Sequence, residues 1–132
     1  IDIDDIDTII SPAIGGITLG HDVARILKKK FIFVEKEDGI LKLRRFKINP
    51  NERFLIIEDV ITKGGRVQET INIVKSFKAE ILALGVLVDR SNKDINFDSP
   101  LVSLLNINPE TFHPNNLPEW LEKIPLTKPG SK

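Results

Sequence analysis

The chain has 132 residues, 41% of them hydrophobic, with 19 basic side chains against 19 acidic ones, 2 His, no Cys and no Met. That length carries one hydrophobic core and little more. Zero formal charge excludes the global basic field that draws proteins onto nucleic acid or anionic membrane, and the absent cysteines exclude disulfide frameworks, thiolate nucleophiles and cysteine zinc sites, a composition compatible with a reducing cytoplasm.

The N-terminus, IDIDDID, is acidic and shows no secretory leader pattern; with no Met in the chain, we read it as a possible fragment of a longer protein. Thr8, Ile9 and Ile10 predict a short buried strand running into the loop SPAIGG, residues 11–16. A helix is expected next, because Leu19, Val23, Ile26 and Leu27 recur at helical spacing and Lys28, Lys29 and Lys30 gather at its negative end. FIFV, residues 31–34, predicts a second strand from its aromatic and β-branched content. Residues 35–52 read as an exposed, partly mobile polar segment with a turn at Asp38-Gly39 and a weak hairpin over 41–46.

FLIIED, residues 54–59, predicts a strand covered on both faces. The loop VITKGG follows, then a helix with Val67, Ile71, Val74 and Phe77 on one apolar face. ILALGVLVDR, residues 81–90, is the next buried strand; its apolar run is far short of the roughly 20 residues of a membrane helix. From Asn106 the chain reads as a proline-rich tail with one short helix, LPEWLEK at 117–123, in which Trp120 is expected to anchor the tail to the body.

Alternating strands and helices predict an α/β fold: an open, mostly parallel twisted sheet with flanking helices, as one domain over residues 1–132 whose segment 106–132 wraps the surface. Ligands of such sheets bind beyond the carboxyl ends of the strands. The loops at 11–16, 58–66 and 89–93 all leave strands at that edge.

The stretch EDVITKGGR, residues 58–66, carries the chemistry. Main-chain N–H groups in a tight loop entering a helix form a phosphate cradle, and Gly64 and Gly65 let the backbone approach an anion closely. Thr62 adds a hydroxyl, and Lys63 and Arg66 add cations. Glu58 and Asp59 repel phosphate, so they must face sugar hydroxyls or a hard cation. A ribose phosphate carrying magnesium meets all these demands. The adjacent acids alone are as well explained as solvated charges, and Arg90 as an ion-pair partner of Asp89. A Walker-type hydrolase needs lysine after the glycines, whereas Lys63 precedes them. A receiver domain needs a different order of acids. His21 and His113 show no partner pattern and read as structural or surface residues.

EDVITKGGR resembles the phosphoribosyl diphosphate motif of the type I phosphoribosyltransferase family, and the wider pattern resembles its orotate phosphoribosyltransferases. SPAIGGITLG resembles their diphosphate loop, FVEKEDGILKLRRF their mobile catalytic loop, LVDRS their orotate-side segment and IPLTKPGSK their tail. The resemblance implies that Glu58 and Asp59 hold the ribose hydroxyls and that Thr62, Lys63, Gly64, Gly65 and Arg66 hold the 5′-phosphate. It places the diphosphate against Ala13, Ile14, Gly15 and Gly16, with Lys36 beside it and Arg90 near orotate. Lys42, Arg44 and Arg45 fall in the mobile loop that closes over the reacting centre. Implied partners are phosphoribosyl diphosphate, orotate, Mg2+ and a second copy in a homodimer. The family's N-terminal hood has no counterpart in the chain, and the alternative is a non-catalytic or regulatory phosphoribosyl diphosphate-binding domain of the same fold, or an inactive fragment. Arg66 stands where the family commonly has serine, and Gly15 where longer members have lysine.

Overall fold

A computed structural model describes residues 1–91 and 95–127. Positions 92 and 93 of the third expected loop and residues 128–132 of the tail motif lie outside the described residues.

Strands β1 (Thr8–Pro12), β2 (Lys30–Glu37), β3 (Ile40–Lys42), β4 (Arg53–Ile61), β5 (Glu80–Asp89) and β6 (Leu101–Asn106) form one six-stranded sheet in the order β3-β2-β1-β4-β5-β6. Only β3 runs antiparallel, as the return of a hairpin turned at Asp38-Gly39, where Gly39 takes φ 84°. The helices α1 (Gly15–Leu27) and α2 (Gly65–Ser76) are the crossovers from β1 to β2 and from β4 to β5.

Alternation along the strands sorts the core into two layers. Ile9 and Ile57 pack with Ala24 of α1, while Ile10, Ile32 and Ile56 pack with Val67, Ile71 and Val74 of α2. Burial on both faces explains why these strands read as unbroken apolar runs. Of the expected helical faces, Leu19, Val23 and Leu27 of α1 and Val67, Ile71 and Val74 of α2 pack on the core, while Ile26 and Phe77 do not. Helix α1 buries Gly16, Gly20 and Ala24, a small-residue stripe that brings it close to the sheet, and Ile26 points outward with 66% exposure. In α2, Thr70 completes the buried face and Phe77 caps the helix, exposed.

Three further expectations are corrected. The segment 35–52 is tied down: Leu41 and Ile48 are buried in the α2-side core, and Leu43 and Phe46 pack against it. Strand β6 was not foreseen; it pairs with β5 from Leu84↔Leu101 to Asp89↔Asn106, leaving Val102 and Leu104 exposed. Trp120 does not anchor the tail to the body: it is 60% exposed and meets Phe112, itself in the tail, edge-on at 6.2 Å. The acidic N-terminus has a structural use at the opposite edge from the loops of interest, where Arg53 at the start of β4 bonds Asp5 at 2.8 Å and Asp7 at 3.1 Å. The guanidinium holds the Asp7 carboxyl below its ordinary range.

Candidate active site

At the carboxyl end of β4 the chain passes from Glu58 and Asp59 through Thr62 and Lys63 into α2. Gly64 caps that helix in the left-handed region, φ 71°, and no side chain caps its first turn, so main-chain donors remain for an anion. Only glycine suits position 64, because an added Cβ would lie 2.9 Å from Ile95 Cδ1 and 3.0 Å from Phe97 Cζ. Residues 58–67 and Glu69 line a cleft of about 420 Å3.

A second cleft of about 630 Å3 lies between the β1–α1 loop and the hairpin, lined by Ala13, Ile14, Gly15, Ile17, Phe33, Glu35, Lys36, Arg45 and Arg66. Arg66 belongs to both walls and joins the clefts. The loop is held by the Ala13 N–H, which donates to Val34 O at 2.7 Å, and it sets Ile14 outward at 82% exposure. Gly15 lies against Asp59: a Cβ there would meet the carboxylate, with Cγ at 2.8 Å. Gly16 likewise makes room for Glu58, whose Oε1 lies 2.9 Å from where its Cβ would stand.

The two acids therefore occupy different environments. Glu58 is 2% exposed and accepts the Asp59 N–H at 3.0 Å. Burial, then the neighbouring Asp59, pushes its carboxyl up to about 8, against a smaller opposing pull from Arg66. Burial thus favours the neutral form of Glu58, which presents a donor as well as an acceptor. Asp59 is half-buried and accepts the Val60 N–H at 2.8 Å through Oδ1. Beneath α1, the Ser11 hydroxyl is buried without a hydrogen-bond partner, pressed toward the bare Cα of Gly20.

The cations divide into two groups. Lys42 pairs with Glu37 at 2.7 Å, Arg44 with Glu37 at 3.2 Å and Arg45 with Glu35 at 2.9 Å. Among the described residues, Lys36, Lys63 and Arg66 have no carboxylate partner and stand exposed at the clefts. Paired carboxylates, unpaired cations and open helix-end amides on one sheet edge suit a sugar bearing phosphates.

The Phosphoribosyl transferase domain family matches residues 3–123. Orotate phosphoribosyltransferase of Caldicellulosiruptor saccharolyticus is 50% identical over 128 residues, 96% of this chain and 67% of that protein. The chain belongs to the orotate phosphoribosyltransferase family. The Thermotoga maritima orotate phosphoribosyltransferase is 40% identical over 97% of this chain and 69% of its own length. The chain thus spans about two thirds of the curated relatives it matches. Among solved structures, adenine phosphoribosyltransferase of Saccharomyces cerevisiae superposes with a TM-score of 0.66 at 20% identity, covering 76% of this chain and 66% of that one. Orotate phosphoribosyltransferase of Aeropyrum pernix gives 0.66 at 22%, covering 77% and 61%. Both share the fold.

Set in the orotate phosphoribosyltransferase family, the fold gathers Ala13, Ile14, Gly15, Lys36, Arg45, Glu58, Asp59, Thr62, Lys63, Gly64, Gly65 and Arg66 onto the two joined clefts. Gly16 lies below them in α1. Lys42 and Arg44 stay on the hairpin with their glutamates and line neither cleft. Arg90 also lines neither; its N–H donates to Ile61 O at 2.8 Å, which brings the end of β5 beside the loop between β4 and α2. Asp89 spends Oδ1 on the Ser91 N–H at 2.8 Å, and no Arg90–Asp89 ion pair forms among the described residues. The sequence alone assigns no role to Ile17, Phe33 and Glu35, although they lie within the loop motifs, nor to Glu69; their place on the clefts is set by tertiary folding.

Proposed function

We propose that this chain carries the transfer of the 5-phosphoribosyl group from phosphoribosyl diphosphate to N1 of orotate, giving orotidine 5′-phosphate and diphosphate in pyrimidine synthesis. The observation that carries the reading is 50% identity to an orotate phosphoribosyltransferase across 96% of the chain. The joined clefts support it. In the reaction the bond from the anomeric carbon to the diphosphate oxygen breaks, its electron pair leaving with the diphosphate. The N1 lone pair then forms the new bond on the opposite face, and the N1 proton is released to solvent or to the departing diphosphate.

Asp59 accepts from the ribose hydroxyls, and the protonated Glu58 beneath it donates or accepts as the sugar demands. Thr62, Lys63 and Arg66, with the amides of Gly64 and Gly65, take the 5′-phosphate at the α2 N-terminus. The Ala13–Gly15 loop lies along the diphosphate, with Gly16 supporting it from below, and Lys36 and Arg45 meet the negative charge that grows there as the bond breaks. One well-placed donor of this kind typically contributes about 3 kcal/mol to the transition state. Lys42 and Arg44, held on the same hairpin by Glu37, add positive charge flanking the diphosphate, and the hairpin helps to exclude water from the activated sugar. Arg90 sits on the orotate side.

Among the described residues no three acids or imidazoles converge as a metal cage. The donor set still suits Mg2+, a hard cation that takes a few carboxylate oxygens alongside substrate phosphates and water, with Asp59 as the protein's donor. Bound there, Mg2+ neutralises diphosphate charge. A homodimer working in the cytoplasm belongs to the same reading.

Titration with phosphoribosyl diphosphate and Mg2+, followed by an assay for orotidine 5′-phosphate with and without a preceding segment of the longer relatives, tests it. Binding and turnover are expected. Binding without turnover in either form points to a sensor instead, and absence of binding removes the reading.

A further inference from the structure

Glu69 lies on the second turn of α2, on the wall of the phosphate cleft beside Lys63 and Arg66. Its carboxylate is already engaged: Oε2 accepts the main-chain N–H of Leu41 at 3.1 Å, across 28 residues of sequence. Leu41 is the middle residue of β3, the edge strand, and stands opposite Lys36. An N–H on the outer side of an edge strand has no ladder partner. Leu41 is 4% exposed, so loss of its partner leaves a poorly hydrated donor. A carboxylate on the wall of an anion site opposes the anion, and the bond to Leu41 gives this one a different use.

We propose that Glu69 is a positioning residue, its carboxylate clasping the Leu41 main chain so that the hairpin bearing Lys36 and Lys42 is set against the helix that presents the phosphate loop. The clasp rests on the reading of function above. It helps make the two halves of the site one mechanical unit: α2 meets the 5′-phosphate, the hairpin meets the diphosphate, and a charge-assisted hydrogen bond adds direction to the apolar packing of Leu41 in the α2-side core.

Two variants of the full chain separate a clasp from mere bulk. Glu69→Leu keeps much of the volume and deletes the acceptor, and Glu69→Gln keeps an acceptor oxygen and deletes the charge. With Glu69→Leu, amide exchange at Leu41 is expected to accelerate about tenfold. kcat falls by about the same factor, and KM for phosphoribosyl diphosphate changes less than about twofold. Glu69→Gln recovers most of both. Unchanged Leu41 exchange in Glu69→Leu overturns the proposal, as does a Gln variant no better than the Leu variant, or a loss confined to KM. If the unaltered protein makes no orotidine 5′-phosphate, the proposed function fails, while Leu41 exchange still decides the clasp.

Discussion

Gly15 and Asp59, 44 positions apart in sequence, compete for one volume: the Asp59 carboxylate fills the space that a side chain at 15 would need. The contact joins the β1–α1 loop to the end of β4, so each loop limits the shape of the other. Gly15→Ala pushes the carboxylate aside at little cost to the core, because the displaced atoms are the free end of a half-buried side chain. Affinity for phosphoribosyl diphosphate in the presence of Mg2+ is expected to fall about tenfold with an almost unchanged melting temperature, measured by calorimetric titration and thermal unfolding.

Asp59→Asn removes the charge and keeps the shape. Binding of phosphoribosyl diphosphate with Mg2+ should weaken by about 1.5–3 kcal/mol, the ordinary worth of a hydrogen bond to a charged group. Ribose 5-phosphate tests the same grip without the diphosphate. Equal affinities in variant and parent would remove Asp59 from the sugar site.

Glu58 links stability to pH. Its folded value of about 8 lies above the ordinary 4.5, so the native state keeps a proton that the unfolded chain releases as pH rises through the ordinary value. Stability from this group therefore falls as pH climbs from about 5 to about 8. Asp7, Glu37, Glu52 and Asp98, all shifted downward, act below that window. Glu58→Gln should flatten the melting temperature between those limits, and a slope equal to the parent's would contradict the assignment.

Gly64→Ala places a Cβ at φ 71° and within 3.0 Å of both Ile95 and Phe97. The left-handed backbone and the crowding together should cost about 1–3 kcal/mol in denaturant unfolding. Phosphate affinity should drop as well, since this residue sets the first turn of α2.

The motif EDVITKGGR, the strand runs FIFV and ILALGVLV and the helix spacings were legible from sequence, because covered parallel strands demand continuous apolar runs and a phosphate loop demands glycine before a helix. Other features were not. β6 is an edge strand defined by its ladder with β5; Asp98-Ser99-Pro100 does bound LVSLLN with turn chemistry, but the run is short and largely exposed and does not by itself read as a strand. Ile26 and Phe77 fit the helical period but fall outside the buried arcs, because the small stripe of α1 and the early end of α2 settle which side packs.

Local chemistry alone thus determined the α/β class, the sheet edge on which the motif loops gather and the residue types proposed to meet phosphate and sugar, since periodicity and loop composition act within a few residues. Only the tertiary structure decided that Glu58 is buried and its carboxyl pushed upward while Asp59 is half-buried at the cleft, that Arg66 belongs to two clefts, and that Glu69 holds Leu41. Desolvation and contact between distant segments are set by what packs overhead, and that depends on the chain as a whole.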